Sequence, residues 1–398
     1  MKLMWFCIPA HGHTNPTIEV VRELVRRGHE VRYYSFEPFR RQIEDAGATY
    51  VPCDGCLAPI DAGAMRRLKR VSSTEMSVQA FRTTALMDGR IASDVSSFRP
   101  DLVVTDSVCF WGKLAAEKHG LPMVCSTTTF AFNRYAARYM KQSFSELADL
   151  VLGVPRLNRE LAKLRPLGYR VKSALDLVQS KEDVDTIVFT SPRFQPCSET
   201  FDGGHYRFVG PSLREVPVRE KDPARPLVYV SLGTVANERP DFYRRCAEAL
   251  GGLEVEGLIA CGTGIDPASL GPLPDNVRVQ PYVDQLEVLS RASLFITHCG
   301  MNSASEGLYM GVPELLFPLT GEERAVARRV GEMGAGRLLS PAQAASAQAL
   351  REAIRDALAD DALRRAAAAM REDLRGCGGA VAAADFIESV GAARKQGA

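Results

Sequence analysis

Residues 294–323 read LFITHCGMNSASEGLYMGVPELLFPLTGEE, and the first half of this stretch passes from one periodicity to another. Leu294 to Thr297 is a continuous apolar, partly β-branched run, which is typical of a buried parallel strand. Helical spacing of apolar residues then follows from Asn302 to Met310. The stretch therefore predicts a strand, a tight turn at Cys299 and Gly300, and a helix, which is the repeating unit of an α/β fold.

The predicted start of this helix is suited to an anion. Asn302 and Ser303 are small polar residues in the first turn, where backbone N–H groups lack helical partners and the dipole favours negative charge. Asn302 and Glu306 share one helix face, so the carboxylate can accept hydrogen bonds from hydroxyls of whatever carries a phosphate. A diphosphate bound to a ribose has this layout. A structural interpretation also fits: His298 ends a core strand, the polar pair caps the helix, and Glu306 is solvated.

A longer pattern favours the first interpretation. His298 to Gly307, HCGMNSASEG, is followed by Gly-Val-Pro and by the acidic pair Glu322 and Glu323. This pattern resembles the signature of the family 1 glycosyltransferases, and the bacterial macrolide- and flavonoid-type UDP-sugar enzymes are the nearest branch. The resemblance covers nearly the whole chain, because further landmarks match. They are Gly12-His13, Asp106, Ser231 to Thr234 and Tyr282 to Leu286.

Composition and charge favour a small-molecule substrate over a nucleic-acid or membrane partner. The chain has 398 residues, 46% hydrophobic and 24% charged, which is enough for two globular domains. The formal net charge is +1 and no basic stripe is present, so nothing indicates a nucleic-acid or anionic-membrane partner. No apolar run approaches the roughly 18 residues of a membrane span or resembles a secretory signal. We therefore expect a cytoplasmic monomer or homodimer without membrane insertion.

Two motifs that could suggest a metal or redox site are interpreted otherwise. Cys53 and Cys56 are the one close pair among ten cysteines that lie mostly in apolar runs. They follow the predicted strand Thr49 to Pro52 and have no second pair beside them, so a turn between reduced thiols is expected. Asp183 and Asp185 match the D-x-D of another glycosyltransferase class, but they stand in a charged segment before a predicted strand and are treated as incidental.

Strands and helices alternate in both halves of the chain, which predicts two Rossmann-like domains. In the first half, the strand Leu3 to Ile8 leads through a loop to a helix from Thr17 to Arg27, with Pro16 at the first helical position. In the second half, the alternation begins with the strand Leu227 to Ser231. Neither first βα turn carries G-x-G-x-x-G, which counts against a dinucleotide cofactor.

Two segments of the first half, Asp61 to Phe98 and Phe130 to Lys172, are long, helical and rich in methionine and aromatic residues. Packing on the sheet accounts for many of these side chains. A share of them is expected to line an adaptable apolar pocket above the carboxyl ends of the strands.

The resemblance implies the GT-B architecture, in which two Rossmann-like domains face each other across a cleft. Residues 1–214 are then the acceptor-binding domain and residues 226–378 the nucleotide-sugar-binding domain. The charged segment 215–225 holds two prolines and is interpreted as the linker. One Ala-rich helix is predicted from Ala342 to Arg375. The last helix, within 379–398, is expected to pack back on the N-terminal domain.

The resemblance also implies a catalytic pair. His13 occupies the family's G-H-x-x-P position, and an imidazole titrates near working pH, so it can take a proton from an acceptor hydroxyl. Asp106 follows the strand Asp101 to Thr105, and a carboxylate there can fix the tautomer of the histidine. From residue chemistry alone, it is equally open whether His13 is only a loop histidine and Asp106 only a cap at the end of a strand. His11 is the rival base, although it lies outside the motif.

The donor side has a larger set of candidates. Thr234, His298, Asn302 and Ser303 are expected to contact the diphosphate and to compensate the charge on the leaving group, so that no metal is required. The full set assigned to the nucleotide sugar is Ser231, Gly233, Thr234, Tyr282, Val283, Gln285, His298, Gly300, Met301, Asn302, Ser303, Glu306, Glu322 and Glu323.

Three of these residues are expected to recognise the nucleoside. Tyr282 stands where the family usually has Trp and can still stack under uracil, and Gln285 reaches the ribose or base. Asp284 replaces the family's Pro. Glu306, accepting from both ribose hydroxyls, favours UDP over a deoxyribose carrier such as dTDP.

The acidic pair departs from the family pattern. Related enzymes usually carry an acidic residue followed by Gln, and both bond sugar hydroxyls. Glu322 keeps the acidic role, whereas Glu323 replaces an amide with a carboxylate that only accepts hydrogen bonds when ionised. Glucose is therefore only the default sugar.

These assignments imply an inverting glycosyltransferase that moves a hexose from a UDP-sugar to a hydroxyl of a lipophilic small molecule, such as a macrolide, a flavonoid or another phenol. The UDP-sugar is a co-substrate, and no cofactor is expected. One alternative is a GT-B-shaped UDP-sugar epimerase, which sugar transfer to an added phenol would exclude. Another is a non-catalytic nucleotide-sugar sensor, which the presence of both His13 and Asp106 counts against.

Overall fold

The computed structural model describes residues 1–56, 73–140, 144–170, 183–219, 222, 224–234 and 237–396. The chain divides into two compact units. Unit 1 comprises residues 1–213 and 377–398, and unit 2 comprises residues 214–376. The starting residue Asp61 and the final residue Lys172 of the two predicted helical insertions lie outside the described residues, as does part of the predicted linker.

In the described part of unit 1, seven parallel strands form a sheet in the order β3-β2-β1-β4-β5-β6-β7. The strands are β1 (Lys2–Phe6), β2 (Glu30–Ser35), β3 (Thr49–Pro52), β4 (Leu102–Asp106), β5 (Met123–Thr127), β6 (Thr186–Val188) and β7 (Tyr206–Phe208). The central strand β1 is apolar after its first residue, and Trp5 and Phe6 are fully buried against Tyr33 and Tyr34 of β2. Burial on both faces explains why these strands are continuous apolar runs.

Helices cover both faces of this sheet. They are His11–Arg26, Arg40–Asp45, Ser73–Phe98, Phe110–His119, Arg134–Met140, Phe144–Ala162 and Gly379–Gln396. The last of these belongs to unit 1, where it packs on the first helix. Arg27 donates to Asp385 and Glu388, each at 2.7 Å, and His29 bonds Glu388 at 2.6 Å.

The first helix begins six residues earlier than predicted, at His11 instead of Thr17. Pro16 lies inside it and not at its first position. Ala10 is the N-cap residue of the helix, and its carbonyl accepts from the N–H groups of His13 at 3.0 Å and Thr14 at 2.9 Å. A proline near a helix start withholds only one intrahelical hydrogen bond, so the helix continues through it. His13 therefore lies in the first helical turn and not on a loop.

In the described part of unit 2, six parallel strands form a sheet in the order β10-β9-β8-β11-β12-β13. The strands are β8 (Leu227–Ser231), β9 (Glu256–Ala260), β10 (Val277–Gln280), β11 (Ala292–Thr297), β12 (Glu314–Leu316) and β13 (Gly336–Leu338). The helices are Pro240–Gly251, Gln285–Leu289, Met301–Tyr309, Gly321–Glu332, Pro341–Ala345, Ala347–Ala359 and Asp361–Arg375. The strand β8 has its predicted bounds, β11 begins two residues before the predicted Leu294, and β13 was not predicted.

The single Ala-rich helix predicted from Ala342 to Arg375 is wrong, because two side chains divide it into three helices. Ser346 accepts a hydrogen bond from Ala349 N–H and begins a new helix. Asp360 accepts from the N–H groups of Ala362 and Leu363 and begins another. N-caps of this kind satisfy backbone donors outside a continuous helix, so they set boundaries that alanine periodicity hides.

The two motifs set aside as metal or redox sites have ordinary surroundings. Cys53 and Cys56 lie in a turn closed by a 2.9 Å bond from Cys56 N–H to the Cys53 carbonyl, and none of the ten cysteines, all of them in the described ranges, forms a disulfide. Asp185 bonds His205 at 2.9 Å. Across the described ranges, no group of three or more His, Cys, Asp or Glu residues could hold a metal ion. None of the helices described in this chain is long and apolar enough to cross a membrane.

Candidate functional site

Each sheet has one point at which the strand order reverses. In unit 1 this point lies between β1 and β4, and in unit 2 it lies between β8 and β11. Loops leave the two strands in opposite directions there, which opens a crevice at the carboxyl ends where ligands of α/β proteins bind. The predicted site residues follow these four strands: His13 after β1, Asp106 at the end of β4, Ser231 at the end of β8 and His298 after β11.

In unit 1, the structure brings His13 and Asp106 together. His13 Nδ1 lies 2.7 Å from Asp106 Oδ2, and the second carboxylate oxygen accepts from Val108 N–H at 2.9 Å. Asp106 is fully buried, whereas the His13 side chain is 21% exposed. An ionised carboxylate only accepts, so the hydrogen of the neutral imidazole lies on Nδ1 and Nε2 keeps a lone pair. The pair can therefore take up a proton at Nε2.

A third side chain, which the sequence did not predict, contacts the same nitrogen. Thr128 is buried just after β5, and its Oγ1 lies 3.1 Å from His13 Nδ1. With the hydrogen on Nδ1, the threonine oxygen shares it with Asp106 as a second acceptor. The available signal was its position after the strand that neighbours β4.

The rival base has different surroundings. His11 is at the exposed start of the first helix, where its ring meets Phe39 edge-on with centroids 4.9 Å apart. The structure thus pairs Asp106 with the histidine of the G-H-x-x-P motif.

Two cysteines lie buried close to the carboxylate of Asp106. Burial raises the pKa of the Cys7 and Cys109 thiols, and the negative charge of Asp106 raises both further. Both thiols therefore stay neutral at working pH and leave Asp106 to interact with His13.

In unit 2, the helix Met301–Tyr309 presents its N-terminus at the reversal point. The preceding Cys299 is buried with φ +65, a left-handed conformation that is strained for a residue with a side chain. Gly300 is the N-cap and has no side chain to cap the turn. The first intrahelical bond runs from Ala304 N–H to the Gly300 carbonyl, so the N–H groups before it can bind an anion.

His298 is seated between two glycine backbones. A Cβ at Gly233, which has φ +72, would lie 2.5 Å from His298 Cε1, and a Cβ at Gly300 would lie 2.5 Å from Nε2. Only glycine leaves room for the imidazole at both positions. Gly233 N–H donates to Ser231 Oγ at 3.3 Å, and Thr234 is exposed in the same turn. The loops after β8 and β11 thus meet around this ring.

The predicted ribose-binding carboxylate belongs to a hydrogen-bonded cluster. Gln285 Nε2 donates to Glu306 Oε2 at 2.7 Å and to Ser303 Oγ at 3.3 Å, and Gln285 Oε1 accepts from Tyr229 at 3.1 Å. Burial raises the pKa of Glu306 to about 7, although the hydrogen bond from Gln285 opposes the shift. Both amide hydrogens of Gln285 are thus engaged within the chain.

The loop that is predicted to bind the base carries an exposed aromatic ring. Tyr282 is 79% exposed, which leaves a ring face for stacking. Val283 packs against the buried cluster beneath the loop. Asp284 caps the helix Gln285–Leu289 by accepting from Glu287 N–H at 3.3 Å, and it accepts from Arg214 at 2.6 Å. Asp284 therefore has a structural role in this loop.

Glu322 and Glu323 lie in the first turn of the helix Gly321–Glu332. Glu323 forms a capping box with Thr320: its Oε2 accepts from Thr320 N–H at 2.8 Å, and its own N–H donates to Thr320 Oγ1 at 3.3 Å. The same Oε2 accepts from Leu319 N–H at 2.7 Å. One carboxylate oxygen of Glu323 is thus bound to backbone, and Glu322 is exposed.

Comparison with known proteins shows the family of this chain. Residues 245–377 match the family model described as the C-terminal domain of erythromycin biosynthesis protein CIII-like proteins. Over 393 residues the chain is 35% identical to the NDP-glycosyltransferase YjiC of Bacillus licheniformis, covering 96% of each chain. The chain belongs to the family 1 glycosyltransferases of the bacterial macrolide type. Enzymes of this family use NDP-sugar donors and small-molecule acceptors.

This glycosyltransferase has further relatives of similar length. It is 34% identical over 417 residues to the demethyllactenocin mycarosyltransferase of Streptomyces fradiae, covering 98% of this chain and 86% of that one. It is 30% identical to the solved structure of CalG4, the calicheamicin glycosyltransferase, with a TM-score of 0.81 over 98% of each chain. The predicted α/β fold of GT-B type and the predicted family are confirmed.

Proposed function

We propose that this glycosyltransferase moves a hexose from a UDP-sugar, with UDP-glucose as the default donor, to a hydroxyl of a lipophilic small molecule such as a macrolide, a flavonoid or another phenol. The observation that carries the proposal is the 2.7 Å contact between His13 Nδ1 and buried Asp106. Residues 1–214 act as the acceptor-binding domain and residues 226–378 as the nucleotide-sugar-binding domain.

His13 is the general base. Its Nε2 takes the proton of the acceptor hydroxyl while that oxygen attacks the anomeric carbon, and the bond from this carbon to the diphosphate oxygen breaks. UDP leaves with the bonding electrons. Asp106 stabilises the imidazolium that forms. A single in-line displacement inverts the configuration at the anomeric carbon.

The donor is held without a metal ion. The N–H groups at the start of the helix Met301–Tyr309 and the side chains of His298, Asn302 and Ser303 compensate the charge that grows on the diphosphate. Glu306 accepts from the ribose hydroxyls with the oxygen that Gln285 does not occupy, and the exposed ring of Tyr282 stacks under uracil.

Glu322 and Glu323 bind the sugar and set the choice of donor. Because Oε2 of Glu323 accepts two backbone N–H groups, its other oxygen is the one left for the sugar. That oxygen accepts only, which favours sugars that present a hydroxyl or an ammonium there. Because one relative is named as a mycarosyltransferase, a nucleotide-linked deoxysugar is the main alternative to a UDP-hexose as the donor.

The test is mass spectrometry of reactions that pair several UDP- and dTDP-sugars with a panel of phenols and macrolides. We expect an acceptor product that carries one hexose. NMR should show that the configuration at its anomeric carbon is inverted relative to the donor. A changed nucleotide sugar without an acceptor product would indicate the epimerase instead. Transfer from dTDP-sugars alone would overturn the UDP assignment. Activity should survive chelator, and complete loss restored only by added metal would contradict the metal-free donor site.

A further inference from the structure

A buried phenol belongs to the hydrogen-bonded cluster of Gln285, Ser303 and Glu306 in unit 2. Tyr229 is on the central strand β8, is 1% exposed, and stacks on Phe295 with ring centroids 5.0 Å apart and planes 12° apart. This packing holds the ring in place. Its hydroxyl donates to Gln285 Oε1 at 3.1 Å, across 56 residues of sequence.

The three hydrogen bonds of Gln285 form a consistent set. An ionised Glu306 must face a donor, so the atom of Gln285 that lies 2.7 Å from it is the amide nitrogen. The amide oxygen then faces Tyr229, which is a donor there. A reversed amide would place two oxygens together at Glu306, so Glu306 selects the observed orientation, and the phenol hydroxyl, which can donate or accept, donates to the amide oxygen. The hydroxyl of Tyr229 thus stabilises the one orientation in which Gln285 can hold Glu306.

The second amide hydrogen strengthens the arrangement. It is donated to Ser303 Oγ at 3.3 Å, which leaves the hydroxyl hydrogen of Ser303 to point at a ligand. The bond from Gln285 also counteracts the effect of burial on the Glu306 pKa, so it keeps the carboxylate ionised in more of the molecules. The nearby carboxylate of Asp284 acts in the opposite direction and is itself paired with Arg214.

We propose that Tyr229 is a positioning residue for ribose recognition, acting through Gln285 to hold the Glu306 carboxylate in place for the two ribose hydroxyls of the donor. This inference rests on the proposed function of Glu306. It predicts that a side chain with no access to the ligand controls how well the enzyme distinguishes ribose from its deoxygenated forms.

The test compares UDP with 2′,3′-dideoxyuridine diphosphate, which lacks both hydroxyls, by calorimetric titration. Tyr229→Phe removes the hydroxyl and keeps the ring. We expect its UDP affinity to fall by about 3- to 10-fold, the usual loss for one hydrogen bond, and its affinity for the dideoxy ligand to change by less than about twofold. Tyr243→Phe, which alters a buried phenol of another core cluster in unit 2, is the matched control and should change neither.

A double-variant cycle separates positioning from packing. If Tyr229 acts through Gln285, adding Tyr229→Phe to Gln285→Leu should cause no further loss of UDP affinity. Additive losses, an equal loss for both ligands, or no loss at all would overturn the inference. If the wild type itself binds both ligands equally, the ribose role of Glu306 in the proposed function fails and the inference fails with it. A wild type that discriminates, and a Tyr229→Phe that discriminates equally well, overturns the inference alone.

Discussion

The two units place their candidate residues at the same topological position but build different kinds of site there. In unit 1 the proposed chemistry depends on one contact, between His13 and Asp106, with Thr128 on the same nitrogen. In unit 2 the proposed binding groups are distributed over glycine backbones, helix-start amides and the cluster around Gln285. A proton transfer needs one well-placed base, whereas a large charged ligand needs many modest contacts. Single substitutions should therefore affect unit 1 sharply and unit 2 in smaller steps.

The largest effect should come from the unit 1 contact. His13→Ala should lower turnover on an alcohol acceptor by roughly 10²–10⁴-fold, because it deletes the general base, and should leave UDP affinity intact. Steady-state kinetics and calorimetry measure the two. Asp106→Asn should act in the same direction but less severely, since it disturbs orientation and keeps the base.

His11→Ala is the control for that prediction. Its ring contacts Phe39, so its loss should leave turnover close to that of the wild type. If His11→Ala were the more damaging change, the two histidines would have been assigned the wrong way round.

The sequence predicted the parts of the fold that depend on local pattern. Continuous apolar runs located the strands, and the predicted strand Leu227 to Ser231 has the observed bounds. The strand β13 was not predicted because it has three residues, two of them exposed. The contacts of Thr128 and Tyr229 were not predicted, since they span 115 and 56 residues and depend on which strands become neighbours.

Among substitutions in unit 2, one that displaces His298 from its position between Gly233 and Gly300 should weaken donor binding most. Gly233→Ala places a Cβ 2.5 Å from the ring and requires φ +72 of a residue with a side chain, so His298 must move. We expect UDP affinity to fall by roughly 10- to 100-fold, as for strain and lost contacts of about 1–3 kcal/mol. Calorimetric titration measures it.

Gly271→Ala is the matched control, because Gly271 has φ +85 and no atom lies within 4 Å of the position that a Cβ would take there. Its backbone, with φ +85 and ψ −167, also strains a residue that has a side chain, but without the clash. Equal losses of UDP affinity in the two variants would show that backbone strain alone, and not displacement of the His298 ring, is responsible.

The units also differ in how they treat a buried carboxylate. Asp106 and Glu314 are both fully buried, but Asp106 is bonded to His13 and Val108, whereas neither oxygen of Glu314 has a hydrogen-bond partner among the described residues. Burial raises the pKa of Glu314 well above its ordinary value. The folded state therefore keeps a proton that the unfolded chain has lost, and stability falls as pH rises above the ordinary glutamate pKa.

Glu314→Met should remove this penalty and raise stability by about 1–3 kcal/mol at pH 8, with a smaller gain near pH 5. Thermal melting at the two pH values measures it. A Met variant that melts lower than the wild type at pH 8 would show that Glu314 makes a favourable contact in the folded state.

The cluster around Glu306 predicts a pH dependence of donor binding. Its pKa is about 7, raised by burial, and only the ionised form accepts from both ribose hydroxyls without donating a proton. UDP affinity should thus fall by up to about 10-fold as pH drops from 8 to 6. Glu306→Gln should bind UDP more weakly at pH 8 but lose this dependence. The phosphates of UDP titrate with both proteins, so identical pH profiles would exclude Glu306 as the titrating group.

The effect on UDP affinity should be smallest at Glu323, where the expected change is in the preference among donor sugars. Glu323→Gln keeps the capping box, because the amide oxygen can still accept from the N–H groups of Leu319 and Thr320. The amide nitrogen then replaces the second carboxylate oxygen and gives the sugar a donor where it had only an acceptor. One repaired or broken polar contact is worth about 1–3 kcal/mol, so the ranking among UDP-sugars should shift by about one or two decades in kcat/KM, with little change in affinity for UDP alone. Competition between UDP-glucose and other UDP-hexoses measures this ranking. An identical ranking in the wild type and the variant would show that Glu323 serves only the helix it caps and does not touch the sugar.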